Sequence, residues 1–312
     1  MKKSILIVDE MHPSLFKMLD EIAFKYDYLP NVNRESILEI LPNYEGLIIR
    51  SKTKIDKEFL EKAAKLKFIA RAGAGLDLID IKEAVIRNIQ LFSANEGNRD
   101  AVAEHTIGMI LALFNKLTIA NFEVKNSIWQ REPNRGIELM GKTWAIIGYG
   151  NNGQATAQRL SGFGVNVLAY DKFKSDFSDG FASPAAMNYI FENADIVSLH
   201  IPLNEETNKM VDQVFLNKFK KNIFLINISR GEIVVLKDLL AELNSGKVAG
   251  ACLDVLENEK IANFSADEKF IFDQLVALPN TILTPHIAGW THESYIKINE
   301  VLISKIKQFA DS

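Results

Sequence analysis

The chain has 312 residues, of which 47% are hydrophobic, and its formal net charge at pH 7 is −4. At roughly 100–200 residues per domain, this length predicts two domains. The small negative charge gives no electrostatic footprint for nucleic acid or an anionic membrane surface, so neither is expected as a partner. The single cysteine, Cys252, cannot form an internal disulfide, which fits a reducing compartment.

The first residues, MKKSILIVDE, contain an apolar run that ends at Asp9. This run is too short for the apolar region of a signal peptide or for a membrane span. We therefore expect a soluble, cytoplasmic protein.

Short apolar runs alternate with amphipathic segments along the first hundred residues. The pattern predicts strands at 5–8, 46–50, 68–70 and 91–93, and helices at 13–25, 56–65 and 79–88. Such alternation is typical of a parallel sheet covered by helices. The segment 98–122 is apolar almost all round and predicts one long buried helix.

A second alternating series follows, with predicted strands at 144–147, 165–169, 196–199, 224–228, 249–253 and 281–283. These strands are almost uniformly apolar, which is typical of a parallel sheet covered on both faces. The chain closes with a predicted amphipathic helix at 294–309. The fold class is therefore α/β.

The strand at 144–147 runs directly into Gly148-Tyr149-Gly150-Asn151-Asn152-Gly153, a G-x-G-x-x-G turn, with a helical run behind it. Gly148 permits the tight turn, Gly150 lets the backbone approach a pyrophosphate, and Gly153 allows the helix to pack closely on the strand. The alternative is an ordinary glycine turn. The strand before and the helix after favour a dinucleotide site.

An acidic residue, Asp171, ends the next strand. A carboxylate at this place accepts hydrogen bonds from the adenosine ribose and repels a 2′-phosphate, which favours NAD over NADP. Lys172 and Lys174 follow and weaken this discrimination. The predicted cofactor is NAD.

Three polar residues follow apolar strands of the second series: Arg230, Asp254 and His286. Taken singly, they suit a surface charge, a helix cap and a turn residue. Ligands of open α/β sheets bind at the carboxyl ends of the strands, and hydride transfer needs a proton acceptor and a cation there. Together the three therefore indicate a site. His292 is interpreted as an exposed helical histidine, and the histidine spacing predicts no metal site.

A series of motifs resembles the D-isomer-specific 2-hydroxyacid dehydrogenase family, and within it the phosphoglycerate dehydrogenases. The motifs are RSKT at 50–53, ARAGAGLD at 70–77, GN at 97–98, AEH at 103–105, GYGNNG at 148–153, NISRG at 227–231, LDV at 253–255 and PHIAG at 285–289. The resemblance implies a flavodoxin-like substrate-binding domain at 1–97 and 288–312. It also implies an inserted Rossmann NAD-binding domain at 98–287.

The resemblance implies a catalytic set of Arg230, Glu259 and His286. His286 would exchange the proton, Arg230 would bind the substrate carboxylate and carbonyl, and Glu259 would pair with the imidazole. The residues alone do not separate Glu259 from Glu257; the spacing in the family selects Glu259. In many relatives a proline follows this glutamate where this chain has Lys260, and the loop at 258–272 is longer than usual.

Cofactor contacts implied by the resemblance lie at the glycine turn and the strand ends: Ala74, Gly148, Gly150, Asn151, Asn152, Gly153, Asp171, Ile201, Ile228, Ser229, Asp254, Ala288 and Gly289. Many relatives have Arg-Ile where this chain has Asn151-Asn152, so a cationic contact to the pyrophosphate is missing. Arg159 or a lysine is a candidate to replace it.

Substrate contacts implied by the resemblance are Arg50, Lys52, Ala74, Gly75, Asn98, Arg230 and His286. The amides around Ala74 and Gly75 suit a carboxylate. Arg50 and Lys52 match positions that hold the substrate phosphate in phosphoglycerate dehydrogenases; the alternative for both is a role in surface solubility.

The implied reaction is NAD-dependent oxidation of 3-phospho-D-glycerate to 3-phosphohydroxypyruvate, the entry to serine synthesis. The alternatives are reduction of glyoxylate, hydroxypyruvate or another 2-oxo acid on the same scaffold, and a non-catalytic NAD-sensing protein. No C-terminal regulatory domain is expected. The resemblance further implies a homodimer through the Rossmann domain and the helix at 98–122, with Arg131 and Arg135 adding positive charge across it.

Overall fold

The computed structural model describes residues 4–174, 177 and 179–311. The chain divides into two compact units, unit 1 comprising Met1–Arg99 with Trp290–Ser312, and unit 2 comprising Asp100–Gly289. Both crossings lie two residues C-terminal of the boundaries expected from the sequence, 97/98 and 287/288.

Strands and helices alternate in the N-terminal part of unit 1. In chain order they are β1 (Ser4–Ile7), α1 (Ser14–Glu21), β2 (Lys25–Tyr28), α2 (Arg34–Ile40), β3 (Gly46–Ile49), α3 (Lys57–Glu61), β4 (Phe68–Arg71), α4 (Ile81–Ile86) and β5 (Gln90–Ser93). A short 3-10 helix, Leu41–Asn43, precedes β3.

Unit 2 opens with two helices and then alternates in the same way. Its elements are α5 (Arg99–Phe114), α6 (Leu117–Lys125), β6 (Thr143–Ile147), α7 (Asn151–Leu160), β7 (Asn166–Tyr170), β8 (Ser183–Pro184), α8 (Met187–Asn193), β9 (Ile196–Leu199), α9 (Gln213–Leu216), β10 (Ile223–Asn227), α10 (Leu236–Ser245), β11 (Val248–Leu253), α11 (Ala266–Ala277) and β12 (Thr281–Leu283). Three 3-10 helices, Ser161–Phe163, Gly231–Ile233 and Ile261–Asn263, lie between them. The last helix, α12 (His292–Asp311), belongs to unit 1.

The sheet of unit 1 is parallel, with strand order β2-β1-β3-β4-β5. This is the doubly wound order of flavodoxin-like domains. Alternate residues of each strand enter different cores, so that Leu6 packs with Phe59 on one face and Ile5 packs with Leu302 of α12 on the other. The C-terminal helix therefore completes the domain in which the chain begins.

The sheet of unit 2 is also parallel, with strand order β12-β11-β10-β9-β6-β7-β8. This is the order of dinucleotide-binding Rossmann domains, in which the chain winds from the central strand first to one side and then to the other. The reversal occurs where β9 lies beside β6. A crevice at the carboxyl ends of these two strands is where such sheets bind ligands.

The predicted helix at 98–122 is wrong as a single element, because α5 and α6 are bent by 60° at the break between them. Lys116 takes a left-handed backbone conformation, with φ of 49°, and the Asn115 side chain donates to the carbonyl of Leu111. Such a side-chain bond competes with the helical pattern. Helix α5 has a buried surface, whereas no residue of α6 is buried.

The predicted helix at 13–25 ends at Glu21, and the sequence reading missed both β2 and α2. Ala23 stops α1 with a φ of 56°, and the Asn33 side chain caps α2 by accepting from the amide of Ser36. Among the described residues no single helix is long and apolar enough to cross a membrane. The bent pair of α5 and α6 meets that condition by length and composition only.

Candidate active site

The glycine turn of unit 2 connects β6 to α7. Gly148 has a φ of 98°, and a Cβ atom there would lie 2.5 Å from the carbonyl oxygen of His200. A Cβ at Gly153 would lie 2.2 Å from the oxygen of Gly148, whereas a Cβ at Gly150 would meet nothing within 4 Å. The turn therefore requires glycine at 148 and 153. The N-terminus of α7, where Gly150 is the cap residue, is open to a phosphate group, so these residues fit a dinucleotide.

Arg159 lies in the last turn of α7, where its guanidinium binds Asp100 at 3.0 Å and Glu104 at 3.3 Å. At a rise of 1.5 Å per residue it is about 12 Å along the helix from Asn151. Arg159 therefore does not replace the missing cation at the turn. The lysine that reaches the turn is Lys174, whose ammonium donates to the carbonyl of Tyr149 at 3.1 Å.

Asp171 holds the glycine turn from the neighbouring strand. One carboxylate oxygen accepts from the amide of Tyr149 at 2.8 Å, and the other accepts from the amide of Phe173 at 2.9 Å. The buried Tyr149 hydroxyl donates to Asp179 at 2.9 Å. Burial raises the pKa of Tyr149 above its ordinary range, and the hydrogen bond to Asp179 raises it further. A cavity of about 370 Å³ beside Asp171 is lined also by Lys174.

His286 and Glu259 form a close pair. The imidazole Nδ1 lies 3.0 Å and 2.9 Å from the two carboxylate oxygens, and about half of each side chain is exposed. Because an ionised carboxylate only accepts, Nδ1 carries the hydrogen and Nε2 is the nitrogen left for other chemistry. Glu257 instead accepts from the amide of Leu236 at 2.8 Å. The structure thus places Glu259, and not Glu257, beside the imidazole.

The longer loop that carries Glu259 is folded. It contains the 3-10 helix Ile261–Asn263 and leads into α11, where Ser265 and Glu268 form a reciprocal capping box. The side chain of Asn258 donates to the Glu268 carboxylate at 2.9 Å. These bonds fix the segment on which Glu259 lies.

Asp254 is 1% exposed, and its carboxylate lies under the turn after β12. It accepts from the Thr284 hydroxyl at 2.5 Å and from the amides of Ile287 and Ala288 at 2.9 and 2.8 Å. The Nε2 of His105 lies 3.5 Å away and also contacts the Thr284 hydroxyl at 3.1 Å. Burial alone raises the pKa of Asp254, but these hydrogen bonds outweigh burial and hold it below its ordinary value.

His286 itself has a left-handed backbone, with φ of 56°. For a residue with a side chain such a conformation costs about 1–2 kcal/mol. The amide of His286 donates to the carbonyl of Asp254 at 2.7 Å and to that of Thr284 at 3.1 Å. Backbone and carboxylate of Asp254 together therefore hold the strained turn that presents the imidazole.

Arg230 follows β10, which lies beside β11, and β12 lies on the other side of β11. The Arg230 guanidinium donates to the carbonyl of Ser229 at 2.7 Å, and the Ser229 hydroxyl donates to the carbonyl of Leu199 at 2.6 Å. A Cβ at Gly231 would lie 1.8 Å from the carbonyl oxygen of Leu256, so only glycine fits at this position. Arg230, Asp254 and His286 thus share one edge of the sheet.

Several predicted cofactor residues lie at the same edge. Ile201 follows β9, Ile228 and Ser229 follow β10, and Ala288 and Gly289 follow the turn after β12. His292 is the first residue of α12 and is exposed. The described residues contain no group of three or more His, Cys, Asp or Glu side chains that could hold a metal ion.

The predicted substrate residues Arg50, Lys52, Ala74, Gly75 and Asn98 lie in unit 1, as does the predicted cofactor residue Ala74. Arg50 follows β3, and Lys52 donates to the carbonyls of Pro30 and Val32. Ala74 and Gly75 follow β4 in a turn that is held by the Arg71 guanidinium, which donates to the Gly75 carbonyl at 2.7 Å. These assignments stay predictions.

Four residues that organise these sites were not predicted as site residues. His105 belongs to the AEH motif and Thr284 precedes the PHIAG motif, but hydrogen bonding to a distant carboxylate leaves no local pattern that assigns either a role. Trp290 and Tyr295 contact the Arg50 guanidinium. The sequence left open whether Trp290 lines a cleft or packs a joint, and it placed Tyr295 on the apolar side of the last helix.

The chain is similar in sequence to a protein family and to several named proteins. Residues 107–288 match the family described as D-isomer specific 2-hydroxyacid dehydrogenase, NAD binding domain. Over 97% of its length the chain is 32% identical to a D-3-phosphoglycerate dehydrogenase of Methanocaldococcus jannaschii, and the match covers 57% of that protein. It is 34% identical to a hydroxypyruvate reductase of Thermotoga maritima, over 88% of each chain. The chain therefore spans little more than half the length of the phosphoglycerate dehydrogenase.

Among solved structures, the D-lactate dehydrogenase of Aquifex aeolicus complexed with NAD and lactic acid is 26% identical. The match covers 99% of this chain and 96% of that chain, with a TM-score of 0.82.

His200 follows β9, its carbonyl lies beside Gly148, and its imidazole contacts Ser198. Its Nε2 is 3.0 Å from the Ser198 hydroxyl, which accepts from the Trp144 indole at 2.8 Å. The other ring nitrogen, Nδ1, is buried and has no hydrogen-bond partner in the described part of the chain. Burial lowers the pKa of His200 to about 3.

We predict that unit 2 loses stability in mild acid through His200. Since the folded-state pKa lies below the unfolded value of about 6.5, only the unfolded chain gains the proton as pH falls below 6.5. Between pH 7.5 and 5.0 the free energy of unfolding should fall by about 2 kcal/mol on this account. Urea denaturation should show that His200→Gln removes this pH-dependent part, and that His292→Gln, which alters an exposed histidine, does not. Equal pH dependence in the wild type and His200→Gln would refute the assignment.

Proposed function

The chain belongs to the D-isomer-specific 2-hydroxyacid dehydrogenase family, and from this premise we propose that it interconverts a D-2-hydroxy acid and its 2-oxo acid. Unit 2 is the NAD-binding domain of that family. The observation that carries the proposal is the pairing of His286 with Glu259 at the edge of the nucleotide-binding sheet where Arg230 also lies.

In the oxidation direction His286 accepts the hydroxyl proton of the substrate at Nε2. The carbinol carbon loses a hydride, its C–H bond breaks, and its C–O bond becomes a carbonyl. Bound NAD⁺ supplies the hydride acceptor. Glu259 then faces an imidazolium, whose charge it stabilises, and Arg230 binds the carboxylate and polarises the forming carbonyl.

NAD is the proposed cofactor form in preference to NADP. Each carboxylate oxygen of Asp171 accepts from one backbone amide, that of Tyr149 or that of Phe173, and each retains a lone pair for a ribose hydroxyl. The carboxylate would repel a 2′-phosphate. Lys172 is paired with Glu206, and Lys174 with the carbonyl of Tyr149, so neither lysine is committed to such a phosphate.

For the substrate we propose 3-phospho-D-glycerate. Arg50 and Lys52 line a cavity of about 430 Å³ in unit 1, and their charge suits a phosphate dianion. The similarity to a protein named D-3-phosphoglycerate dehydrogenase supports this choice. The second candidate is reduction of hydroxypyruvate, because the relative named for that reaction matches over 88% of both chains and because Asp9 and Glu10 line the same cavity.

The substrate is tested by following NADH absorbance with a panel of 3-phospho-D-glycerate, D-glycerate and D-lactate. We expect the phosphorylated acid to have the highest kcat/KM, and Arg50→Ala to lower that value by about tenfold or more through loss of a charge-assisted contact. Lys52→Ala should have the smaller effect, since its ammonium already donates to two carbonyls. A wild-type enzyme that prefers D-glycerate contradicts the phosphorylated substrate and favours the second candidate.

The catalytic assignment is tested by three substitutions in the same assay. His286→Asn should lower kcat by about a hundredfold or more, because it removes the group that exchanges the proton. Glu259→Gln should lower kcat by about tenfold, whereas the matched variant Glu257→Gln should stay near the wild type. Full turnover in His286→Asn would overturn the mechanism. The absence of turnover in the wild type, with NAD binding retained, would support a non-catalytic sensor.

We propose further that the chain forms a homodimer through unit 2. Helix α6 exposes Leu117, Phe122 and Val124 to between 54 and 66%, and Trp129 and Met140 in the segment that follows are exposed to 79 and 75%. An apolar surface of this kind is typical of a protein interface.

Sedimentation velocity tests this proposal. The wild type should sediment as a dimer, and Phe122→Glu should shift it toward the monomer, because a charge would be buried in the interface. The control Ile86→Glu alters an equally exposed apolar residue of unit 1 and should remain dimeric. A monomeric wild type would refute the homodimer.

A further inference from the structure

The guanidinium of Arg50 packs against two aromatic rings of unit 1, and these rings also contact each other. Its central carbon is 4.0 Å from the ring centroid of Trp290 and 4.8 Å from that of Tyr295, and the two rings are 5.2 Å apart. The Nη1 of Arg50 donates to the Tyr295 hydroxyl at 2.8 Å. We refer to Arg50, Trp290 and Tyr295 as the arginine clamp.

The arginine clamp is tied to the backbone on both sides. The amide of Arg50 donates to the buried carboxylate of Asp9, and its carbonyl accepts from Arg71 at 2.9 Å. The Tyr295 hydroxyl, having accepted from Arg50, donates to the carbonyl of Glu10 at 3.2 Å. These bonds fix the guanidinium and one of its ring partners relative to the sheet.

Trp290 is fixed by the start of α12. The amide of Thr291 donates to the Ser294 hydroxyl at 3.0 Å, and the amide of Ser294 donates to the Thr291 hydroxyl at 3.0 Å. This reciprocal pair sets the direction in which the chain enters the helix that carries Tyr295. Trp290 is nevertheless 53% exposed, so its ring is not held by a core.

Contact with an aromatic ring covers part of a guanidinium face and leaves N–H groups on its edge for ligands. Carboxylates and phosphates bind arginine edge-on, in the plane of its N–H groups. A long side chain that is already ordered also loses less conformational freedom when a ligand binds. An arginine held against two rings is therefore suited to an anion that must be recognised in one orientation.

Lys52 is the other cation of the cavity and is differently placed. Its ammonium donates to the carbonyls of Pro30 and Val32 at 2.9 and 2.8 Å, which occupies two of its three hydrogens. The carboxylates of Asp9 and Glu10 line the same cavity and oppose an anion. Arg50 is thus the cation on which anion binding depends.

We propose that Trp290 and Tyr295 are positioning residues that set the selectivity of this chain for a phosphorylated substrate by holding Arg50. This inference rests on the proposed function, because it assigns a selectivity device to that same site. Trp290 and Tyr295 touch Arg50, and Arg50 touches the phosphate.

The test compares kcat/KM for 3-phospho-D-glycerate with that for D-glycerate, with NADH absorbance as the readout. In Trp290→Ala the ratio should fall by about tenfold, mainly through a higher KM for the phosphorylated acid, since Arg50 loses the nearer of its two ring contacts. Trp290→Phe restores a ring and should restore most of the ratio. Tyr295→Phe keeps its ring and removes the two hydrogen bonds of the hydroxyl, one of them to Arg50, so the ratio should fall by about threefold.

Competition by inorganic phosphate supplies a second readout, in which the inhibition constant should rise in Trp290→Ala and recover in Trp290→Phe. If the wild type prefers the phosphorylated acid and Trp290→Ala and Tyr295→Phe keep the same ratio of kcat/KM values, the inference is overturned. The proposed substrate is unaffected by that result. A wild-type ratio near one overturns the proposed substrate, and the inference falls with it. If Trp290→Ala does not fold, Tyr295→Phe decides, because it preserves its ring and is still expected to lower the ratio; an unchanged ratio in Tyr295→Phe overturns the inference.

Discussion

The buried carboxylate of Asp254 is the constraint on which the candidate site depends. It accepts two backbone amides and a hydroxyl from the turn that follows β12, and it does so almost without contact with solvent. A buried carboxylate without such donors would be strongly unfavourable, so the charge and the turn stabilise each other. The turn in question holds His286 in a left-handed conformation that its side chain disfavours.

The rest of the site is gathered by the strand order. Since β10, β11 and β12 are adjacent and parallel, the residues that follow them, Arg230, Asp254 and His286, meet at one edge. The glycine turn follows β6 at the same edge of the sheet, at the point where the winding reverses. The arginine clamp lies in unit 1, where it is built from the residue after β3, from Trp290 and from the first turn of α12.

Much of this architecture could be predicted from the sequence, because it rests on local patterns. Apolar runs predicted the strands, and the glycines predicted the turn between β6 and α7. The position of Arg230, Asp254 and His286 after apolar strands predicted that they belong to a site. The break at Lys116 was missed because an apolar face continues through it, whereas the left-handed residue that bends the chain has no periodic signature. The choice between Glu257 and Glu259 and the stacking of Trp290 on Arg50 depend on tertiary contacts, which periodicity does not encode.

The central claim, that Asp254 holds the turn of His286, is tested most directly by amide hydrogen exchange in Asp254→Asn. An asparagine side chain keeps the shape of Asp254, but it removes the negative charge and one of the two oxygens that accept from the amides of Ile287 and Ala288. The account predicts that exchange in the segment 285–289 rises by about tenfold or more, while the strands of the sheet keep their protection. Unchanged exchange at Ile287 and Ala288 would contradict it.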